Sequence, residues 1–304
     1  MNDKLREPLR FLWQTLDRFF ANSCPTMAAA LSFYTFFSLP ALLALLLLLV
    51  GTVADAETVH RAILVQVGSL IGRAGAEQVE TVIGHAQRTA SETSTTAFWS
   101  GLAVLLGATT AFAQLQNSLN RAWGVKPDPR RGPFRNFLAK RVFSFGVVLA
   151  VAFMLLVSLG LTAVVTTVGG ALGGRAGVPD ELLAVFDTVI SFVIVAALFA
   201  AMFKLLPDAK ISWRDVGLGA VATAVLFVIG KWAIGLYLGG SDPGSAYGAA
   251  GSLAVVLIWV YYTSMVVLFG AELTRVWAER YGRGVRPEKG AVAFVEQEHR
   301  VETG

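Results

Sequence analysis

The stretch MAAALSFYTFFSLPALLALLLLLVGTV, Met27–Val53, contains no acidic or basic side chain. About 20 apolar residues at 1.5 Å rise per residue cross a hydrocarbon layer about 30 Å thick, so this run reads as a membrane-crossing helix. It follows basic residues and ends near Ala54-Asp55-Ala56, a small-x-small pattern that resembles a signal cleavage site. A signal peptide has an apolar core of about 7–15 residues, and this one is nearly twice as long. An uncleaved first helix is therefore expected.

Outward from that span, five more apolar stretches follow: Thr96–Leu115, Val142–Gly170, Leu182–Leu206, Val216–Gly239 and Gly251–Val276. In lipid every backbone polar group must be paired within the protein. Blocks this long and continuous do not suit barrel strands, so the fold class is all-α, a polytopic bundle of six transmembrane helices. Composition agrees. Of the 304 residues 55% are hydrophobic and 15% charged, against about 25% charged in a soluble domain, which excludes an ordinary cytosolic enzyme. The single cysteine, Cys24, excludes an internal disulfide framework or a multi-cysteine metal site, and three scattered histidines add no ligand set. His60 and His85 in particular lack ligand-spaced partners and read as surface residues. No metal or cofactor is expected.

The cations set the orientation. Twenty of the 25 Lys and Arg fall before the first span, after the second, after the fourth and after the sixth. Only Arg61, Arg73, Arg88 and Arg175 fall on the other side, with Lys231 inside a span. The positive-inside rule then puts both termini in the cytoplasm. Residues 1–25 form a first unit, in which Leu9, Leu12, Trp13, Leu16, Phe19 and Phe20 recur at helical spacing with Arg10, Asp17 and Arg18 between them. That pattern predicts an amphipathic helix lying in the cytoplasmic interface, its cations toward anionic headgroups. A soluble helix packed under the bundle would show the same periodicity. Residues 26–280 form the transmembrane domain, and residues 281–304 a polar cytoplasmic tail expected to be disordered.

Between spans one and two, the outer segment 54–95 shows two apolar stripes, Val59 to Ile71 and Val79 to Ala86, separated near Gly72 to Gly75. Two amphipathic helices are expected there, able to cap a cavity or meet an envelope partner. Two other outer turns are glycine-rich, at 169–174 and 239–248. In the second, Gly239, Gly240, Tyr247 and Gly248 are candidates for a gate, although a plain flexible turn has the same composition. Pro40, lacking an N–H, is a candidate hinge in the first span. The basic loop 125–133 lacks interleaved aromatics and reads as lipid-headgroup contact, not nucleic-acid binding.

Ionisable groups within a bilayer are expensive and normally face the bundle interior. Asp187 and Lys231 fall at similar depth and form a candidate intramembrane polar pathway, or else a static tie between two helices. Near the other end Asn117, Asn120 and Arg121 share a region with Glu272, beside Arg275 and Lys204, and form a candidate cytoplasmic-side polar cluster. Helix-to-helix hydrogen bonding is the plainer role for the asparagines, and a structural ion pair for Glu272.

Several separated segments resemble a known family. These are Ala28-Ala29-Ala30-Leu31-Ser32-Phe33-Tyr34-Thr35-Phe36-Phe37-Ser38-Leu39-Pro40, Leu205-Leu206-Pro207-Asp208 with Trp213-Arg214-Asp215-Val216-Gly217-Leu218-Gly219-Ala220, and Tyr247-Gly248-Ala249-Ala250-Gly251-Ser252 leading to Trp259-Val260-Tyr261-Tyr262 and Gly270-Ala271-Glu272. In this order, across about residues 10–280, they are similar to the YihY/BrkB family of bacterial inner-membrane proteins. The resemblance implies a six-helix plasma-membrane protein, a family variously labelled virulence factor, transporter and ribonuclease BN. The residues give no support to the last label, since no histidine pair or carboxylate cluster is evident for RNA chemistry, and no enzymatic activity is expected. The expected function is a transporter or flippase-like protein for a small solute or lipid. The alternative is a non-transporting envelope scaffold acting through segment 54–95, with an envelope partner or a second copy of the chain as its contact.

Overall fold

The computed structural model describes residues 3–50, 60–61, 64, 80–81, 84, 110–130, 180–240 and 251–294. Within them lie six helices: α1 (Asp3–Ala21), α2 (Cys24–Val50), α3 (110–122), α4 (Asp180–Leu205), α5 (Trp213–Gly240) and α6 (Gly251–Arg280). Residues 60–61, 64, 80–81 and 84 are also helical, at positions within the two outer stripes. The span Val142–Gly170, the turn at 169–174, Tyr247 and Gly248 lie outside the described residues.

Local chemistry sets the α1–α2 break. Ser23 adopts φ 55°, a left-handed conformation that a helix interior does not tolerate. Its carbonyl accepts the N–H of Met27 at 3.1 Å, and Pro25 enters the first turn of α2, where its missing N–H costs nothing. The 27 residues of α2 span about 40 Å at 1.5 Å each. The helix runs through Pro40 without ending. Trp213–Ile234 and Leu253–Arg280 are each long and apolar enough to cross a membrane, and Ser191–Leu205 is a shorter apolar helix.

Helix α6 is the hub, packing against α1, α2 and α5, while α5 also packs against α4. Two glycines let α5 and α6 approach closely. A Cβ on Gly219 would stand 1.7 Å from Thr274 Oγ1, and one on Gly270 would stand 1.8 Å from Thr223 Oγ1. Each helix thus carries a Gly-x-x-x-Thr pair, and the threonine of each covers the glycine of the other. Both threonines are buried, and each returns its hydroxyl to its own helix: Thr223 to Gly219 O and Thr274 to Gly270 O, both at 2.7 Å. Farther along, the Tyr262 ring lies over Gly230 and its hydroxyl donates to Leu226 O at 2.8 Å.

The largest cluster of buried side chains gathers at the basic end of the bundle. Phe19, Cys24, Leu31, Leu119, Trp123, Phe203, Val216 and Leu268 bring six helices to one core there. By contrast Val189, Val193, Val225, Ile229, Trp232 and Leu236 on α4 and α5 are exposed, the surface expected of helices that face hydrocarbon chains.

Two antiparallel ribbons modify the all-α expectation. Strand β1 (Val125–Pro127) pairs with β4 (Ala291–Ala293), Lys126 opposite Val292. Strand β2 (Ala209–Lys210) pairs with β3 (Arg286–Pro287), Ala209 opposite Pro287. The disordered tail expected from residue 281 is therefore corrected for residues 281–294. Polar composition concealed an edge-pairing segment, because backbone N–H and C=O groups of two interhelical loops supply its partners.

Candidate functional site

At the basic end α1, α3 and α6 converge on a cavity of about 240 Å³ lined by Arg18, Ala21, Asn22, Arg121, Gly124, Arg275 and Phe294. Amphipathicity places Arg18. Leu9, Leu12, Trp13, Leu16 and Phe20 of α1 are exposed, so the opposite face, with Phe11, Thr15 and Phe19, turns toward α6. Phe11 meets Trp277 edge-on at 6.0 Å, and Phe19 meets Phe269 at 5.9 Å. Arg18 Nη2 then reaches Glu279 at 2.6 Å, while its Nη1 is buried with no hydrogen-bond partner among the described residues.

Arg275 is held from two sides. Its Nε donates to Glu279, one turn on, at 2.9 Å, and its Nη1 donates to Ala122 O at 2.8 Å. Gly124 completes the seat. It has φ 63°, and a Cβ there would stand 2.7 Å from Arg275 Nη2, so a side chain at 124 would clash both with its own backbone conformation and with the guanidinium. The Gly124 carbonyl also accepts the N–H of Phe294 at 2.9 Å, which fixes one end of β4 at the cavity.

One hydrogen bond behind the cavity wall sits Glu272, fully buried. Asn22 Nδ2 donates to its Oε1 at 2.5 Å, and Cys24 Sγ lies 3.9 Å from the same oxygen. Its other oxygen, Oε2, has no hydrogen-bond partner among the described residues. A buried carboxylate is costly unless paired and hydrogen-bonded, and here one oxygen carries the bonding.

The residues predicted for this cluster divide between two tasks. Arg121 lines the cavity and Glu272 stands behind it. Asn120, buried, turns instead to the Leu205-Leu206-Pro207-Asp208 segment: its Nδ2 donates to Asp208 Oδ2 and its Oδ1 accepts the Asp208 N–H, both at 2.8 Å. Gln116 adds a bond to Asp208 Oδ1 at 3.3 Å, and Asp208 O accepts the Glu288 N–H at 2.9 Å. Asn117 is exposed. Lys204 leaves the cluster altogether, donating to Ile211 O and lying 5.7 Å above the Trp213 ring. Sequence reasoning missed Arg18, Asn22 and Gly124. The inward spacing of Phe11, Thr15 and Phe19 on α1, continued by Asn22 in the turn after it, was the signal for the first two.

Of the other candidates, Lys231 is exposed on α5, as are Val228, Ile229 and Trp232 beside it. The side chain of Asp187 lies outside the described residues, as does that of Pro40. Gly239 and Gly240 are the last residues of α5. Among the described residues no group of three or more His, Cys, Asp or Glu could hold a metal ion.

Comparison with known proteins bears on the same segments. The family model described as virulence factor BrkB matches residues 15–293. A UPF0761 membrane protein of Pseudomonas aeruginosa (strain LESB58) is 28% identical over 294 residues, covering 92% of this chain and 67% of the relative. A UPF0761 membrane protein of Verminephrobacter eiseniae is 30% identical over 68% of this chain and 47% of its own. YfkH of Bacillus subtilis, which carries a ribonuclease-like name, is 25% identical over 59% of this chain and 64% of its own. No solved structure matches.

Proposed function

Since the chain belongs to the virulence factor BrkB family and its relatives are membrane proteins, we propose that it is a transporter or flippase-like protein moving a small solute or a lipid across the bacterial inner membrane. In this reading the bundle has six spans and both termini face the cytoplasm, because twenty of the 25 Lys and Arg lie at one end. The arginine-lined cavity is then a cytoplasmic vestibule.

The observation that carries the reading is Glu272, fully buried in an apolar helix and one hydrogen bond from that vestibule. Ionisable groups at such depth generally mark a pathway. A purely anchoring bundle gains nothing from a carboxylate whose second oxygen has no partner among the described residues. The reading assigns no catalytic residue, and with no G-x-x-x-x-G-K-[ST] motif in the chain the driving energy comes from a gradient or a partner.

A transporter must offer water a path from each side in turn. In a Cys24→Ser background, single cysteines placed at Asp187 and along α6 between Val255 and Ala271 should react with a membrane-impermeant maleimide. We expect labelling from the cytoplasmic side near Ala271, from the outer side near Val255, and from both sides at one or more positions between. Glu272→Gln, which keeps an acceptor for Asn22, should shift that two-sided pattern while leaving the protein folded. If every position between the ends stays silent from both sides, the bundle is dry and the transport reading fails.

A further inference from the structure

The three guanidiniums of the cavity come from three different elements, Arg18 on α1, Arg121 on α3 and Arg275 on α6. Among the described residues the lining contains no carboxylate. Glu279 serves Arg18 and Arg275 together, at 2.6 and 2.9 Å, and Glu272 is held back behind Asn22. Asn22 stands between the cavity and Glu272. Holding like charges around a small space is unfavourable unless an opposite charge enters it.

We propose that this cavity is a binding site for a phosphate group, the headgroup of an anionic lipid or a free phosphate compound. Arg18 Nη1 is buried without a partner among the described residues, so one donor beside the cavity is left open to an incoming acceptor. Arg275 is fixed by Ala122 O and Glu279, and Gly124 gives its guanidinium room at the wall, so little rotamer freedom is lost when a ligand binds. A planar carboxylate offers its oxygens in one plane, whereas a tetrahedral phosphate offers three or four in space, which suits forks arriving from three helices. The volume of about 240 Å³ is room for a phosphate and the first carbons of its ester. Ala21 and Phe294 supply an apolar wall for those carbons. Depth agrees with a lipid source. The exposed face of α1, with Trp13 at 71% and Phe20 at 65%, is that of a helix embedded at headgroup level, and Arg18 sits between those two aromatics in the sequence.

The site stands whether or not the chain transports, and its test measures binding alone. Full-length protein in a neutral detergent would be titrated with glycerol phosphate, with dihexanoyl phosphatidate, and with dihexanoyl phosphatidylcholine and sodium chloride at matched ionic strength, following thermal unfolding. The expected result is a rise in unfolding temperature with a phosphate-bearing ligand beyond both controls, and a loss of apparent affinity of about tenfold or more in Arg121→Gln and Arg18→Gln. Ala21→Asp keeps every arginine and places a carboxylate at the cavity from the last residue of α1. It should abolish the shift while its own unfolding temperature stays near that of the parent. A shift with phosphatidate alone identifies a lipid headgroup, and an equal shift with glycerol phosphate identifies a free phosphate compound. No shift beyond the controls, or a shift that survives Ala21→Asp, overturns the proposal.

Discussion

Two of the places where described residues bury polar side chains treat them in opposite ways. In the α5–α6 seam, Thr223 and Thr274 are sealed against the facing glycines, and each hydroxyl is bonded back to a carbonyl of its own helix at 2.7 Å. Nothing is left over. At the basic end, Arg18 Nη1 and Glu272 Oε2 are buried with no partner among the described residues, although Asn22, Glu279 and Ala122 O satisfy their neighbours. Polar groups that close on themselves fix the distance between helices. Groups left with spare donors and acceptors are an open arrangement, and openness next to a cavity is what ligand binding requires.

The comparison breaks first at Gly219. Replacing it with leucine forces a side chain into the space of Thr274 Oγ1, 1.7 Å from the ideal Cβ. The expected cost is about 3 kcal/mol, the upper part of the overpacking range, seen as loss of the monodisperse peak in detergent and a lowered unfolding temperature. Thr274→Gly added to Gly219→Ala should recover part of the loss that Gly219→Ala causes alone, because the two changes share one contact. Recovery by the second change is the signature of the seam, and strict additivity would deny it.

A smaller effect is expected at Asp208, which belongs to the basic end but is fully engaged. Asp208→Ala removes the acceptor of Gln116 and Asn120 and leaves the buried Asn120 side chain half-satisfied. The expected loss is about 2 kcal/mol, measured by thermal unfolding. Phosphate affinity should stay unchanged, since Asp208 does not line the cavity. A selective loss of binding in this variant would blur the division between scaffold and site.

The smallest effect is expected from Thr274→Val, which keeps the shape over Gly219 and deletes only a hydroxyl bonded within its own helix. About 0.5 kcal/mol is expected, in line with measured side-chain hydrogen bonds within membranes. A cost several times larger, by the same unfolding measurement, would mean that the hydroxyl works across the seam and not along one helix.

Much of this was legible in the chain. The run Met27–Val53 and the alternation of aromatics and cations on α1 follow from a period of 3.6 and from hydrocarbon thickness. Glu272 and Arg121 were likewise marked by being ionisable beside apolar runs. The ribbons were not legible, because strands of two or three residues such as Ala209–Lys210 and Ala291–Ala293 have no periodicity to read. Nor was the separate fate of Asn120 and Lys204, whose spacing along the chain matches that of their neighbours but whose partners come from loops 88 and 7 residues away.

By itself, then, the sequence determined that the chain is helical and belongs in a membrane, and which end of it is basic. These properties depend on local composition and repeat, and any bilayer imposes them. Only the tertiary structure decided that Arg18, Arg121 and Arg275 meet in one cavity, that Asn22 stands between them and Glu272, and that Thr274 covers Gly219. Such meetings join residues as distant in the chain as Arg18 and Arg275, and they are set by how closely the helices pack, which no single segment encodes.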